Sequence, residues 1–228
     1  MLQQLIAETP TMRTGIESEL ASLPHLQTDQ RIVLQRGGAT YSEMLKATCA
    51  AELLQALPKP RESVHLVIGG RFALADLVPA VLSLAKPAKI KSLDIATLGF
   101  SKRNIAMLCR LLDSGDIGRL RILCSHYFKH TSKDIYETAR EELSKRKPRT
   151  EFATARTHAK IFNMELTDRR FVVSESSANA RSCKNIENIS IFGDPRLHEF
   201  HVRWMDALFF QPNRKGNQNG KVKGKAQR

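Results

Sequence analysis

Apolar segments of strand length alternate with amphipathic segments of helix length between residues 63 and 147. This alternation predicts strands at residues 63–68, 90–98 and 119–125, and helices at residues 72–85, 101–114 and 131–147. Ser101 before the second helix and Gly115 after it are residue types that begin and end helices. Strands that alternate with helices of this length predict an α/β domain with parallel strand pairing in this region.

A different pattern follows residue 149. The sequence predicts strands at residues 150–166, 169–175 and 188–192, with short segments between them. Short connections between strands favour antiparallel pairing. Asp194 and Pro195 then predict the start of a last helix, which ends near residue 210. The two patterns together predict an α/β fold with one mixed central sheet and helices on both faces.

The beginning of the chain carries a weaker pattern. A short strand is predicted at residues 31–35, and a helix at residues 42–57 that ends before Pro58. We therefore expect an N-terminal extension (1–40), an α/β domain (41–210) and a flexible basic tail (211–228). The tail is rich in Gly, Asn and Gln and has too few apolar side chains to fold by itself.

Positive charge is concentrated in two places. The chain has 36 Lys and Arg against 23 Asp and Glu, a net charge of +13. The tail contains cations and no acid: Arg214, Lys215, Lys221, Lys223, Lys225 and Arg228. A second cluster stands at the end of a predicted helix: Lys145, Arg146, Lys147 and Arg149. Such charge suits a polyanion, with nucleic acid first and an anionic membrane surface second. The alternatives are a solubilising tail and cations that complement a helix dipole.

Other features of the sequence exclude several classes of protein. No apolar run is long enough to span a bilayer, and the chain does not start with a secretory signal pattern. Cys124, His126 and His130 lack a fourth ligand nearby, so they do not predict a metal site. The cysteines are scattered, which predicts free thiols and a cytoplasmic protein: Cys49, Cys109, Cys124 and Cys183.

The residues that carry chemistry lie between positions 158 and 188. His158 and Lys160 are two positions apart, and on a strand their side chains share one face. An imidazole can act as nucleophile or acid/base near neutral pH, and an ammonium can hold a phosphate oxygen. Ser177 and Asn179 have the same spacing and can donate hydrogen bonds to phosphate. Glu187 could accept a hydrogen bond from the His158 ring and fix its tautomer.

This segment resembles the signature of the phospholipase D-like superfamily, which has H-x-K, an aspartate after four further residues, and a G-S-x-N turn. His158 and Lys160 match H-x-K, and residues 176–179 match the turn. Residues 185–188 read N-I-E-N and match the N-x-E-N of its bacterial nuclease branch. The chain departs from the signature at Glu165 and Ser176, where the superfamily has Asp and Gly, and in a longer gap before Ser177.

The resemblance implies an α/β/α sandwich that cleaves or transfers phosphodiesters without a metal or other cofactor. One motif histidine attacks phosphorus to form a phosphohistidine, and a second protonates the leaving oxygen. This chain has a single H-x-K motif, since no other histidine is followed by lysine two positions later. The resemblance therefore implies a two-fold homodimer, with His158 and Lys160 of both subunits in one interfacial site.

The sequence thus leads to a main hypothesis and two alternatives. The main one is a metal-independent nuclease, because the basic charge favours nucleic acid over lipid. The altered signature motivates the first alternative, a catalytically impaired module that binds nucleic acid or a partner. The second alternative is a phospholipid hydrolase or transferase.

Overall fold

Nine strands form one mixed sheet in the described part of the computed structural model. The structure describes the backbone of residues 31–36 and 39–44, and all atoms of residues 54, 56–68, 73–181 and 185–210. The strands are β1 (Arg31–Arg36), β2 (Ala39–Met44), β3 (Ser63–Ile68), β4 (Ile90–Thr97), β5 (Ile117–Ser125), β6 (Thr150–Ala155), β7 (Ile161–Leu166), β8 (Phe171–Ser176) and β9 (Glu187–Phe192).

The order of the strands across the sheet is β1-β2-β3-β9-β8-β7-β4-β5-β6. The pairs β4–β5 and β5–β6 are parallel, as is β2–β3, and the other pairs are antiparallel. Strand β9 is the last in the chain, yet it lies between β3 and β8. The predicted mixed α/β sheet is therefore confirmed, and its two halves are joined by a strand from the end of the chain.

Helices cover both faces of the sheet, as predicted. The α-helices are α1 (Leu77–Ala85), α2 (Lys102–Asp113), α3 (His126–Thr131), α4 (Lys133–Ser144) and α5 (Pro195–Phe209). The first four contribute to the main apolar core on one face, where Phe162 and Met164 of β7 also lie. On the other face Ile161 packs with Met205 of α5. Because both faces are covered, β7 is buried along most of its length.

Local signals place the ends of the helices. The Ser101 hydroxyl accepts a hydrogen bond from the Asn104 backbone N–H, and the Asn104 side chain accepts one from Ser101 N–H, which begins α2 with a capping box. Gly115 follows α2 with a φ of +73°, a conformation that favours glycine. Asp194 caps α5, and Pro195 is its first residue.

Two predicted elements need correction. The helix predicted from residue 42 is wrong at its start, because β2 continues to Met44 and pairs with β1 and β3. Two ladders of backbone hydrogen bonds outweigh the local helix propensity. Leu54, Ala56 and Leu57 are not helical either, and the rest of that range lies outside the described residues. The single strand predicted at residues 150–166 is two strands, with residues 156–160 between them.

The predicted boundaries of the N-terminal extension and of the C-terminal tail can be compared with the structure to different extents. Strand β1 lies within residues 1–40, predicted as an extension, and its pairing with β2 makes it part of the sheet. The tail at residues 211–228 lies outside the described residues. Among the helices that the structure describes, none is long and apolar enough to cross a membrane.

Candidate active site

The candidate site residues lie at one edge of the sheet, where the ends of several strands meet. Ala96 at the end of β4 pairs with Ile161 at the start of β7, and Ile161 pairs with Glu175 near the end of β8. Ser176 at the end of β8 pairs with Ile189 near the start of β9. The segments that precede β7, follow β8 and begin β9 therefore meet at this edge, which we call the site edge.

His158 and Lys160 are side by side, but not for the predicted reason. They lie in the irregular segment before β7, so the prediction that a strand aligns them is wrong. The Lys160 side chain folds back instead, with Nζ 3.0 Å from His158 Nδ1 and 3.1 Å from the His158 carbonyl oxygen. Lys160 is 9% exposed, whereas His158 is exposed. The imidazole therefore faces solvent and the ammonium lies behind it.

The turn after β8 is tied to this pair through the backbone. The Ser176 N–H donates to the Lys160 carbonyl oxygen over 3.1 Å. The Ser176 hydroxyl donates to the carbonyl oxygen of Asn188 (2.9 Å) and accepts from the N–H of Ala178 (2.8 Å). Serine thus replaces the signature glycine here by using its hydroxyl to hold the turn closed.

Ser177 and Glu187 form a hydrogen-bonded pair next to the turn. The Ser177 hydroxyl donates to a carboxylate oxygen of Glu187 and accepts from the Asn188 N–H over 3.0 Å. The Glu187 carboxylate also attracts the Lys160 ammonium electrostatically. A hydrogen bond from the His158 ring to Glu187 stays a prediction.

Asn179 lies at the same turn and has a side-chain oxygen without a partner among the described residues. Its backbone is fixed, since its carbonyl oxygen accepts from Leu74 N–H, and Ala180 N–H donates to the hydroxyl of Thr97 at the end of β4. The Oδ1 atom of Asn179 is buried, and within the described residues it has no hydrogen-bond partner. A buried acceptor in this condition can receive a hydrogen bond from a donor outside the described residues.

The proton positions of the His158–Lys160 pair limit its chemistry. Burial lowers the pKa of the Lys160 ammonium, and the attraction of Glu187 partly opposes this. A charged ammonium can only donate, so His158 Nδ1 accepts and the proton of the neutral ring lies on Nε2. In this form Nε2 can donate a proton. A nucleophilic Nε2 requires the proton on Nδ1, and hence requires Lys160 to leave that atom.

The structure does not bring the basic cluster of the α4 end to this site. Arg149 precedes the first residue of β6, and that six-residue strand separates it from the site edge by about 20 Å. Three of its cations also have partners elsewhere: Arg146 pairs with Asp113 at 2.6 Å, Lys145 pairs with Glu142 at 2.7 Å, and Arg149 donates to the Leu112 carbonyl oxygen at 2.8 Å. The basic residues predicted in the tail lie outside the described residues.

The sequence analysis did not identify two groups of residues. The first is an open cleft of about 540 Å³ beside His158, with Leu98, Tyr127 and Arg156 among its lining residues. The sequence signal that could have indicated this cleft is an aromatic residue, Tyr127, close after the end of the buried strand β5. The second is a polar layer beneath α5, in which Arg121 makes two 2.7 Å hydrogen bonds to Asp94 and a further one to Asp206. Charged residues of opposite sign inside two neighbouring apolar strands were its signal.

The sequence analysis considered Cys124, His126 and His130 as metal ligands and did not predict a site there. Cys124 is buried, and burial raises the pKa of its thiol to about 12. Where side chains are described, no group of three or more His, Cys, Asp or Glu residues is placed to hold a metal ion.

Comparisons with solved structures show a likeness of backbone arrangement. No protein-family model and no curated protein matches the chain. Among solved structures, the crystal structure of a polyphosphate kinase from Porphyromonas gingivalis is similar, with 12% sequence identity and a TM-score of 0.48. The match covers 75% of this chain and 29% of the kinase.

Proposed function

We propose that this chain is a phosphodiesterase that cleaves nucleic acid without a metal ion and works as a homodimer. The observation that carries the proposal is the juxtaposition of an exposed imidazole, a buried ammonium 3.0 Å behind it, and the Ser177–Asn179 turn at one edge of the sheet. His158 supplies a nucleophile, and Lys160 supplies the positive charge that a phosphoryl group needs.

The proposed reaction has two steps. The Nε2 atom of His158 attacks phosphorus, a N–P bond forms, and the P–O bond to the leaving strand breaks. His158 of the partner subunit gives its proton to the leaving oxygen. Water then attacks phosphorus, transfers a proton to that second imidazole, and the N–P bond breaks. Both histidines return to their starting states.

The surrounding residues prepare His158 for attack. An incoming phosphate oxygen would draw the Lys160 ammonium away from His158 Nδ1, since an anion is a better partner than a neutral ring nitrogen. The ring proton can then lie on Nδ1, with Glu187 as its acceptor, and Nε2 carries the lone pair. Once Glu187 accepts from His158, the Ser177 hydroxyl is released from that carboxylate and donates to a remaining phosphate oxygen, as does the Nδ2 group of Asn179.

Nucleic acid is the favoured substrate because of charge. The chain carries a net charge of +13, and a polynucleotide presents phosphodiesters and neighbouring phosphates together. A site that contacts phosphate reads the backbone and not the bases, so cleavage should depend little on base sequence.

The test is cleavage of labelled single- and double-stranded DNA and RNA in EDTA, by the wild-type chain and by His158→Ala. We expect the wild type to cleave and His158→Ala to lose at least about a thousandfold in rate, as removal of a nucleophile does. The matched control is His130→Ala, which removes another exposed histidine and should leave the rate unchanged. Denaturation at alkaline pH during turnover, which preserves the N–P bond, should trap a phosphorylated protein only when His158 is present.

Two outcomes would contradict the proposal. Cleavage by His158→Ala at the wild-type rate would remove His158 from the mechanism. Loss of wild-type cleavage in EDTA would show that the reaction needs a metal ion. Anionic phospholipid vesicles belong in the same assay, because hydrolysis of lipid without cleavage of nucleic acid would favour the lipid alternative.

One observation favours a second candidate, a catalytically impaired module that binds nucleic acid. The polar groups of the site have partners within the chain: Lys160 bonds to His158, and Ser177 bonds to Glu187. Glu165, at the position of the signature aspartate, pairs with the surface residue Lys91 at 2.7 Å. This candidate predicts binding of nucleic acid by the wild type and His158→Ala alike, with no cleavage and no phosphorylated protein.

A further inference from the structure

The cleft beside His158 has the features of a binding site for a flat group. Its volume is about 540 Å³, within the range of small-ligand sites, and it opens at the site edge beyond β5 and β6. His158 is one of its lining residues, so an occupant of the cleft would lie next to the reacting phosphate.

Tyr127 is an exposed aromatic residue on a fixed support. Its side chain is 67% exposed, whereas the next residue, Phe128, is buried against Phe100 with ring centroids 4.6 Å apart. The Ser125 hydroxyl accepts from Phe128 N–H at 2.9 Å and donates to the Leu98 carbonyl oxygen at 2.8 Å. The backbone on either side of Tyr127 is thus held in place, while its exposed side chain lines the cleft.

The charge of the cleft is positive. Arg156 and His126 line it and are exposed, and no acidic residue is among its lining residues. An aromatic face beside a cation suits a nucleotide, whose base can stack on the ring while its phosphate lies near the guanidinium. An acyl chain would gain nothing from the arginine.

We infer that Tyr127 and Arg156 form a nucleotide subsite that makes this chain selective for single-stranded nucleic acid. The bases of a duplex are stacked on one another and cannot present a face to Tyr127, whereas an unpaired base can. This inference rests on the proposed function, because it places the nucleotide next to a phosphodiester held at His158.

The experiment measures binding of fluorescently labelled oligo(dT) and oligo(rU), and of a labelled DNA duplex, in EDTA. His158→Ala is the background, so that cleavage does not interfere. Tyr127→Ala should raise the Kd for the single strands about tenfold to a hundredfold, the loss expected for one stacked base. Tyr127→Phe keeps the ring face and should bind as before. Arg156→Ala should weaken binding and lower the salt dependence by about one phosphate contact.

The matched control is Phe210→Ala. Phe210 is 71% exposed and follows α5, whose last residue Phe209 lies beside Thr150 at the opposite edge of the sheet. Its removal should change neither affinity. Equal thermal melting of the variants would show that each is folded, which the exposure of Tyr127 leads us to expect.

The outcomes separate this inference from the proposed function. Single-strand affinity that is unchanged in Tyr127→Ala, or that falls equally for duplex, overturns the stacking subsite even if the wild type cleaves DNA. If Tyr127→Ala selectively weakens single-strand binding and the wild-type chain cleaves no nucleic acid, the subsite is supported and the nuclease activity is overturned. Absence of binding to any nucleic acid overturns both.

Discussion

Lys160 is the residue at which the role we propose and the stability of the fold oppose each other. Its ammonium is buried behind His158, and burial lowers its pKa despite the attraction of Glu187. At pH values below this lowered pKa the side chain is charged in both the folded and the unfolded chain, so folding carries the full cost of burying the charge. As pH rises from the lowered pKa towards the usual 10.5, the folded chain loses the proton first and the cost disappears.

We therefore predict that Lys160→Met raises the melting temperature at pH 7 by about 2–4 °C and abolishes cleavage. Thermal denaturation at pH 7 and above pH 10 checks this, and the gain should shrink at the higher pH. Lys91→Met, which removes an exposed lysine, is the control and should show neither effect. A lower melting temperature for Lys160→Met at pH 7 that is absent above pH 10 would contradict this, because it would mean that the ammonium stabilises the fold.

At the scale of elements, Gly99 sets the distance between the β4 end and α3. A Cβ atom at Gly99 would lie 2.5 Å from the ring of Phe128, which is itself buried. Gly99→Ala should therefore reduce the free energy of unfolding by about 1–3 kcal/mol and displace α3 with Tyr127. Urea denaturation measures the first effect, and oligo(dT) affinity measures the second.

A smaller side chain at Phe128 makes room for the Cβ of Gly99→Ala and provides the control. Phe128→Leu alone should be destabilising, but the double variant with Gly99→Ala should lose less than the sum of the two single changes. Strict additivity would show that the two positions do not touch.

The ion pair of Asp94 and Arg121 joins β4, β5 and α5. Asp94 and Arg121 are each 1% exposed, and the guanidinium also bonds to Asp206 of α5 and lies over Phe209. Burial lowers the pKa of Arg121, but the hydrogen bonds of Asp94 and Asp206 outweigh it and hold the pKa above its usual range. The guanidinium is therefore charged at every pH at which the protein folds.

Asp94→Asn should reduce the free energy of unfolding by about 3–5 kcal/mol, because it leaves that charge without its buried partner. Replacing both residues, as in Asp94→Leu with Arg121→Met, should cost much less than Asp94→Asn alone. Urea denaturation of the three proteins decides this. A double variant that is as unstable as Asp94→Asn would contradict the role assigned to the charge.

At the scale of the whole molecule, the single H-x-K motif predicts a site shared between two subunits. If both copies of His158 are needed in one site, a dimer of one wild-type and one His158→Ala subunit is inactive. Equal mixing by co-refolding should then leave about one quarter of the wild-type activity, against about one half for independent subunits. Cleavage rates over a series of mixing ratios distinguish a quadratic from a linear dependence, and a linear one would contradict the shared site.

Features that depend on neighbouring residues could be predicted from the amino-acid sequence. Strand β3 lies where the apolar run at residues 63–68 predicted it, and α2 and α5 begin at the predicted caps Ser101 and Asp194. These signals are local, because periodicity and capping depend on residues within one or two turns. The order of His158, Ser177 and Glu187 along the chain is local information of the same kind, and the functional site it predicts stays a prediction.

Features that depend on residues far apart in the chain became visible in the folded chain. The insertion of β9 between β3 and β8 brings Glu187 to Ser177, and pairing with β1 and β3 makes a strand of residues predicted to be helical. The basic cluster before β6 is close to His158 in sequence, yet a strand of about 20 Å separates them. Sequence distance does not fix position in space, because the free energy of strand pairing and burial comes from contacts that no local pattern contains.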